Sequence, residues 1–158
     1  LCTAFLASSV VGQFQGTIDR IVALAVLMPI VAGMGGNAGT QVLALMIRGL
    51  ALGQVGASNV RVLLWKELRV ALMNGLMIGG IVGLATWAWF HDPMLALVIG
   101  AAMTLNLLFA ALAGVLVPVT LKRMNLDPAL AGGVILTTVT DVMGFLAFLG
   151  LATLILLR

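Results

Sequence analysis

Apolar positions along this chain fall into five runs, at about residues 1–15, 21–48, 60–90, 94–121 and 130–157. The last four are each longer than the roughly 20 apolar residues that a helix needs to cross a bilayer. The first is shorter and reads as a truncated span, or one preceded by further residues. Short polar breaks separate the runs. Gly16-Thr17-Ile18-Asp19-Arg20 forms a connection, and residues 49–59 (GLALGQVGASN) form a flexible loop in which Ser58 or Asn59 can cap the next helix. His91-Asp92-Pro93 is a tight turn, and Lys122 to Leu126 leads into Asp127. Asp-Pro occurs at 92–93 and again at 127–128, each time followed by a similar apolar segment. Asp as N-cap with Pro at the first helical position accounts for that match without a duplication.

The second run carries Pro29, Gly33, Gly35, Gly36 and Gly39. So many breakers in one segment predict a kink or an unwound stretch rather than a straight rod. Composition then fixes the solvent. The chain is 63% hydrophobic and 8% charged, where soluble domains carry about 25% charge. Backbone amides can be satisfied in lipid only within helices or closed barrels. The fold class is therefore an all-α integral membrane protein, with residues 1–158 forming one transmembrane domain. The formal charge of +3 does not indicate a nucleic-acid partner, because the basic residues sit at the ends of the runs, where they anchor. Cys2 is the single cysteine, so there is neither an intrachain disulfide nor a cysteine metal cluster. The N-terminal run has no basic n-region with a cleavage site, as a signal peptide would. It begins inside an apolar run and is expected to continue a larger protein.

Arg48, Arg61, Lys66 and Arg69 lie in or beside the second loop, and Lys122 and Arg123 in the fourth; the other side has Arg20, Arg158 and His91. By the positive-inside rule the second and fourth loops are cytoplasmic. Five spans then put the N-terminus inside and the C-terminus outside. Trp65 fits the cytoplasmic interface, and Trp87 and Trp89 the opposite one.

Candidate chemistry centres on Asp141, in the middle of the fifth run. An acid at bilayer depth costs about 3 kcal/mol or more and usually faces a bundle interior or a water-filled path. Thr137 and Thr138 precede it by one turn and Gly144 follows by one. Thr137, Asp141 and Gly144 give a small, polar face that can line a pore or pack against another helix. The alternative is that Asp141 serves as interhelical glue in a structural or assembly subunit. No other carboxylate, Lys or His lies at membrane depth, so a several-acid metal site within one chain is impossible. Two copies of Asp141 brought together by a two-fold axis would carry a charge of −2. Oxygen donors without Cys or His favour a hard ion, and Mg²⁺ is commonly held by one or two carboxylates while keeping waters. A proton relay would need a chain of titratable groups. These residues predict a divalent-cation path. In the second span, Asn37 and Gln41 stand one turn apart and either line a cavity or bond across helices. Gly33, Gly36 and Gly39 either line that cavity or permit close packing.

The run Pro29…GGNAGTQ…Ile47-Arg48, with LKRMNLDPALAGG and TTVTDVMGFLAFLGLA further on, closely resembles the membrane domain of MgtE-type magnesium transporters. The resemblance covers essentially the whole chain. It implies five transmembrane helices per protomer in a homodimer, with a Mg²⁺-selective pore at the two-fold axis, in a bacterial inner membrane. Mg²⁺ is then the transported ion. Asp141 matches the family's pore aspartate and Thr137 its carbonyl one turn earlier. Gly33 to Asn37 matches the glycine-rich stretch along the same path; together with the one-turn neighbours on the two spans, Gly33, Gly36, Asn37, Gln41, Thr138 and Gly144 are the expected pore lining. Gly133 stands where some relatives carry Asn. The family's cytosolic regulatory domains do not appear in this sequence.

The alternatives from enzyme classes lack their residues. An intramembrane protease needs a Ser/His pair, an HExxH site or two catalytic aspartates on separate helices, and His91 is alone in a turn. The expectation is a transporter and not an enzyme.

Overall fold

The computed structural model describes residues 1–56 and 58–157. Their regular structure is helical: α1 (Cys2–Gln13), α2 (Gln15–Arg20), α3 (Ala23–Ala51), α4 (Val60–Phe90), α5 (Pro93–Arg123) and α6 (Pro128–Leu156). Four of these, α3 to α6, are long and apolar enough to cross a membrane. The run at 1–15, expected as a truncated first span, forms a short helix. Its helix stops at Gln13 after 12 residues, about 18 Å at 1.5 Å per residue, which is short of a 30 Å hydrocarbon core. The expected connection at 16–20 is instead the short helix α2. Thr17 is buried there and shares a 2.8 Å hydroxyl–hydroxyl hydrogen bond with Thr153 of α6. That tie and the packing of Ile18 on the core outweigh the polar composition of the segment. Arg158, which follows the fifth run, lies outside the described residues.

The unwound stretch expected in the second run is overturned. α3 is continuous from Ala23 to Ala51 with Pro29 inside it. A glycine in a helix interior costs about 1 kcal/mol against alanine. Here Gly35 and Gly39 are buried, and a Cβ at Gly39 would stand 3.0 Å from the Leu136 side chain. Close packing against α5 and α6 offsets the propensity loss, so the glycines mark a contact face rather than a break.

The helix starts follow the expected cap chemistry. Asp92 Oδ1 accepts from the Met94 and Leu95 amides at 2.9 and 3.1 Å, and Asp127 Oδ1 from Ala129 at 2.9 Å, with Pro93 and Pro128 opening the two helices. Asn59 occupies the N-cap position of α4 without capping it. Its side chain accepts from the Gly56 amide and donates to the Gln54 carbonyl, folding the loop on itself.

The bundle is built around α5, which packs against α3, α4 and α6. Its core falls into three apolar clusters. The largest gathers Leu24, Leu27 and Val31 of α3, Leu95 to Met103 of α5 and Phe148 to Ala152 of α6. Leu43, Ala113 and Leu136 form the second, and Met46, Val115 and Val119 the third. α4 meets α5 along a glycine seam, where Gly75, Gly79 and Gly83 face Thr104, Gly100 and Ala96. A Cβ on Gly79 would come within 2.5 Å of the Gly100 carbonyl oxygen, which is rigid backbone, whereas nothing lies within 4 Å of one on Gly80. Gly79→Val is therefore expected to lower stability by about 1–3 kcal/mol, the usual cost of overpacking. Gly80→Val should change it by much less. Thermal unfolding of the two detergent-solubilised variants, followed by size-exclusion chromatography, checks the contrast.

Candidate cation groove

Asp141 lies in the middle of α6, half-buried, with Thr137 one turn before it. The two border an open groove of about 390 Å³ whose other wall is α3, through Ala32, Gly33, Gly36, Asn37 and Thr40. Helical periodicity explains the α3 wall. Positions 33, 36, 37 and 40 recur at the 3–4 residue spacing of one face, and Gly33 and Gly36 keep that face low. Nothing lies within 4 Å of a Cβ built on either of them, so they border open space.

The polar atoms in the groove are a carboxylate, an amide and two hydroxyls. Thr40 Oγ1 donates back to the Gly36 and Asn37 carbonyls at 3.0 and 2.9 Å, which leaves its lone pairs as acceptors. Thr137 Oγ1 donates to the Gly133 carbonyl. The Thr137 carbonyl accepts from Thr140 Oγ1 at 3.1 Å, so Thr137 brings a hydroxyl oxygen to the groove rather than a free carbonyl. Because α3 is unbroken, the carbonyls of Gly33 to Gly36 also stay in the helical ladder, and the freed carbonyls expected from an unwound stretch are absent. Among the described residues none hydrogen-bonds or ion-pairs with the Asp141 carboxylate, and no group of three or more His, Cys, Asp or Glu side chains is gathered. The groove thus offers hard oxygen donors around a single acid.

The structure brings Asp141, Thr137, Gly33, Gly36 and Asn37 together and leaves three other expected residues elsewhere. Gln41 lines a separate crevice with Glu67 and Asn74, between α3, α4 and α5. Thr138 is turned aside and donates to the Val134 carbonyl at 2.8 Å. Gly144 is buried, and a Cβ there would stand 2.7 Å from Asn106 Nδ2.

Asn106 was not singled out from the sequence, yet it holds the groove from behind. It is 1% exposed, its Nδ2 donates to the Val31 carbonyl of α3 at 2.7 Å, and its Oδ1 is buried without a partner among the described residues. Its amide lies against Gly35 of α3 on one side and Gly144 of α6 on the other. It is therefore the wedge from α5 that sets the separation of the two groove walls. Thr40 was also passed over. The signal for it was the 33–36–37–40 spacing, which fits the groove face better than Gln41 does. Asn106 gave a weaker signal, a lone amide in an apolar run.

A family described as "MgtE: Divalent cation transporter" matches residues 28–151, a segment that contains the whole groove. Three curated proteins named "Magnesium transporter MgtE" are similar to the chain. The Bacillus subtilis protein is 31% identical over 97% of this chain, that of Thermus thermophilus 33% over 99%, and that of Enterococcus faecalis 32% over 92%. The chain spans about a third of the length of each, 34%, 34% and 32% respectively. With its four apolar helices this is a multi-pass membrane protein of the transporter class. It belongs to the MgtE divalent cation transporter family.

The wedge has a measurable consequence. Asn106→Ala removes a buried side chain and one hydrogen bond between α5 and α3, leaving a void between Gly35 and Gly144. Stability is expected to fall by about 2 kcal/mol, within the range for large-to-small core changes. Asn37→Ala, on the exposed groove face, should leave stability within about 0.5 kcal/mol. Parallel denaturation of both variants in the same detergent checks the difference.

Proposed function

We propose that this chain is the pore-forming membrane part of a Mg²⁺ transporter, working as a homodimer in a bacterial inner membrane. The observation that carries the reading is the half-buried Asp141 carboxylate, unpaired among the described residues, in an open groove between α3 and α6. A charge at membrane depth without a partner in its own chain is costly. A second copy and a shared divalent cation relieve that cost together. Two grooves facing each other across a two-fold axis place two Asp141 side chains around one path, with Asn37, Thr40 and Thr137 of each protomer lining it. The printed names of the relatives, all magnesium transporters, support Mg²⁺ as the ion. α1 and α2, which pack along α6, make the fifth crossing of each protomer. The basic loops face the cytoplasm, and cytosolic regulatory domains correspond to the part of the relatives that this chain does not span.

In this reading Asp141 binds the ion through its water shell. Mg²⁺ demands octahedral oxygen coordination and dehydrates reluctantly. Two carboxylates cannot replace six waters, so they accept hydrogen bonds from coordinated waters instead. The hydroxyl oxygens of Thr40 and Thr137 and the Asn37 amide oxygen take others. Ca²⁺ prefers six to eight flexible oxygen ligands and sheds water more readily, so a fixed outer shell fits it poorly. Interhelical glue is the less favoured role for Asp141, since no described residue of the neighbouring helices bonds to it.

Mg²⁺ flux into proteoliposomes tests the assignment. Asp141→Ala is expected to abolish flux with the protein still folded. Asp141→Asn keeps the shape and loses the charge, and should reduce flux at least about tenfold, because hydrogen bonds to a charged group contribute about 1.5–3 kcal/mol. Near-normal flux through folded Asp141→Ala would overturn the assignment. Gly36→Val adds bulk to the groove where nothing lies within 4 Å. It should lower flux severalfold without lowering the unfolding temperature, which separates a narrowed path from a misfolded bundle.

A further inference from the structure

We infer that a second site, on the side of the bundle where α4 meets α5, holds one anionic phospholipid per chain. An apolar groove of about 450 Å³ runs there, lined by Trp65, Leu68 and Leu72 of α4 and by Leu105, Phe109 and Leu112 of α5 among others. Arg69 is the one charged side chain on its lining. The groove extends from Trp65 to Leu72 of α4, about 10 Å of helix axis, and its walls are aliphatic and aromatic, which suits an acyl chain and no polar ligand.

Charge decides which lipid occupies it. The Arg69 guanidinium is turned back along α4, with Nε donating to the Trp65 carbonyl at 3.3 Å. Its two terminal nitrogens remain free to fork around a phosphate. Arg61 lies one turn before Trp65 on the same stripe, since positions 61, 65, 68 and 72 share one helical face. Both arginines are exposed, and neither is ion-paired with a described residue. Glu67 is the single acid of α4, and it faces away, lining the crevices toward α3. Along α4, therefore, one guanidinium lines the slot and a second stands one turn beyond Trp65 on the same face, neither ion-paired with a described residue. A phosphate bound by both, with its acyl chain running down between Leu72 and Leu105, satisfies every group at the mouth of that slot. Basic pockets between spanning helices bind anionic headgroups on this principle. A zwitterionic lipid fills the slot equally well but brings its own cation to the arginines.

The test uses Trp65 as the reporter. In the full chain carrying Trp87→Phe and Trp89→Phe, Trp65 is the remaining indole. Its emission is titrated with phosphatidylglycerol or phosphatidylcholine bearing brominated acyl chains. Half-quenching is expected at a mole fraction of phosphatidylglycerol at least about fivefold lower, the factor that one basic side chain contributes near an anionic surface. Arg61→Gln combined with Arg69→Gln should bring the two curves together. Coincident curves in the arginine-bearing chain would overturn the proposal. So would displacement of the brominated phosphatidylglycerol by millimolar glycerol phosphate, which would mark a phosphate site without an acyl slot. Native mass spectrometry of the unmodified chain reads the same question without any substitution. Retention of one phosphatidylglycerol, with phosphatidylcholine lost under the same conditions, is expected, and equal retention of the two lipids would also overturn the site.

Discussion

The architecture depends on one buried hydrogen bond, from the Asn106 amide on α5 to the Val31 carbonyl on α3. A polar side chain in the middle of an apolar bundle is expensive unless it is bonded, and Asn106 satisfies its donor by reaching a neighbouring helix. The bond draws α3 against α5, and the bulk of the same amide fills the gap to Gly144 on α6. Three helices are thereby fixed relative to one another beside the groove that holds Asp141. Gly35 and Gly144 belong to this arrangement as much as Asn106 does, because a methyl group on either would occupy the space of the amide.

That arrangement explains why neighbouring glycines behave differently. On α3, Gly35 and Gly39 are consumed by packing while Gly33 and Gly36 face open space. The two pairs lie on adjacent faces of one unbroken helix. A sequence reading that treats all of them as breakers loses this distinction and arrives at an unwound stretch. Periodicity retains it, since positions 35 and 39 are one turn apart, as are 33 with 37 and 36 with 40.

Much of the fold was legible because its signals were local. Four long apolar runs, two Asp-Pro helix starts and the charged loops fall where the structure has α3 to α6 and their connections. The first run was harder to read, because Thr17 gains its helix from a hydroxyl partner 136 residues away. The candidate groove was half legible. An acid in the middle of a span announces itself, and its α3 wall carried an evident small-residue pattern. Asn106 was hidden because its significance lies in two glycines on other helices, and no spacing within α5 points to them. The surroundings of Gly144 were hidden for the same reason, since they are set by what α5 presents to it.

The two-residue turn between α4 and α5 has a consequence for the order in which the molecule assembles. His91 takes a left-handed conformation and Asp92 caps the next helix, so the α4–α5 hairpin closes with contacts that are near in sequence. Local contacts of that kind form early. The groove joins residue 37 to residue 141, with both helices of the hairpin lying between them in the chain. It comes into being only when α6 has arrived and Gly144 has met Asn106. In chain order the α4–α5 hairpin precedes α6, and the groove around Asp141 can close only once α6 is present.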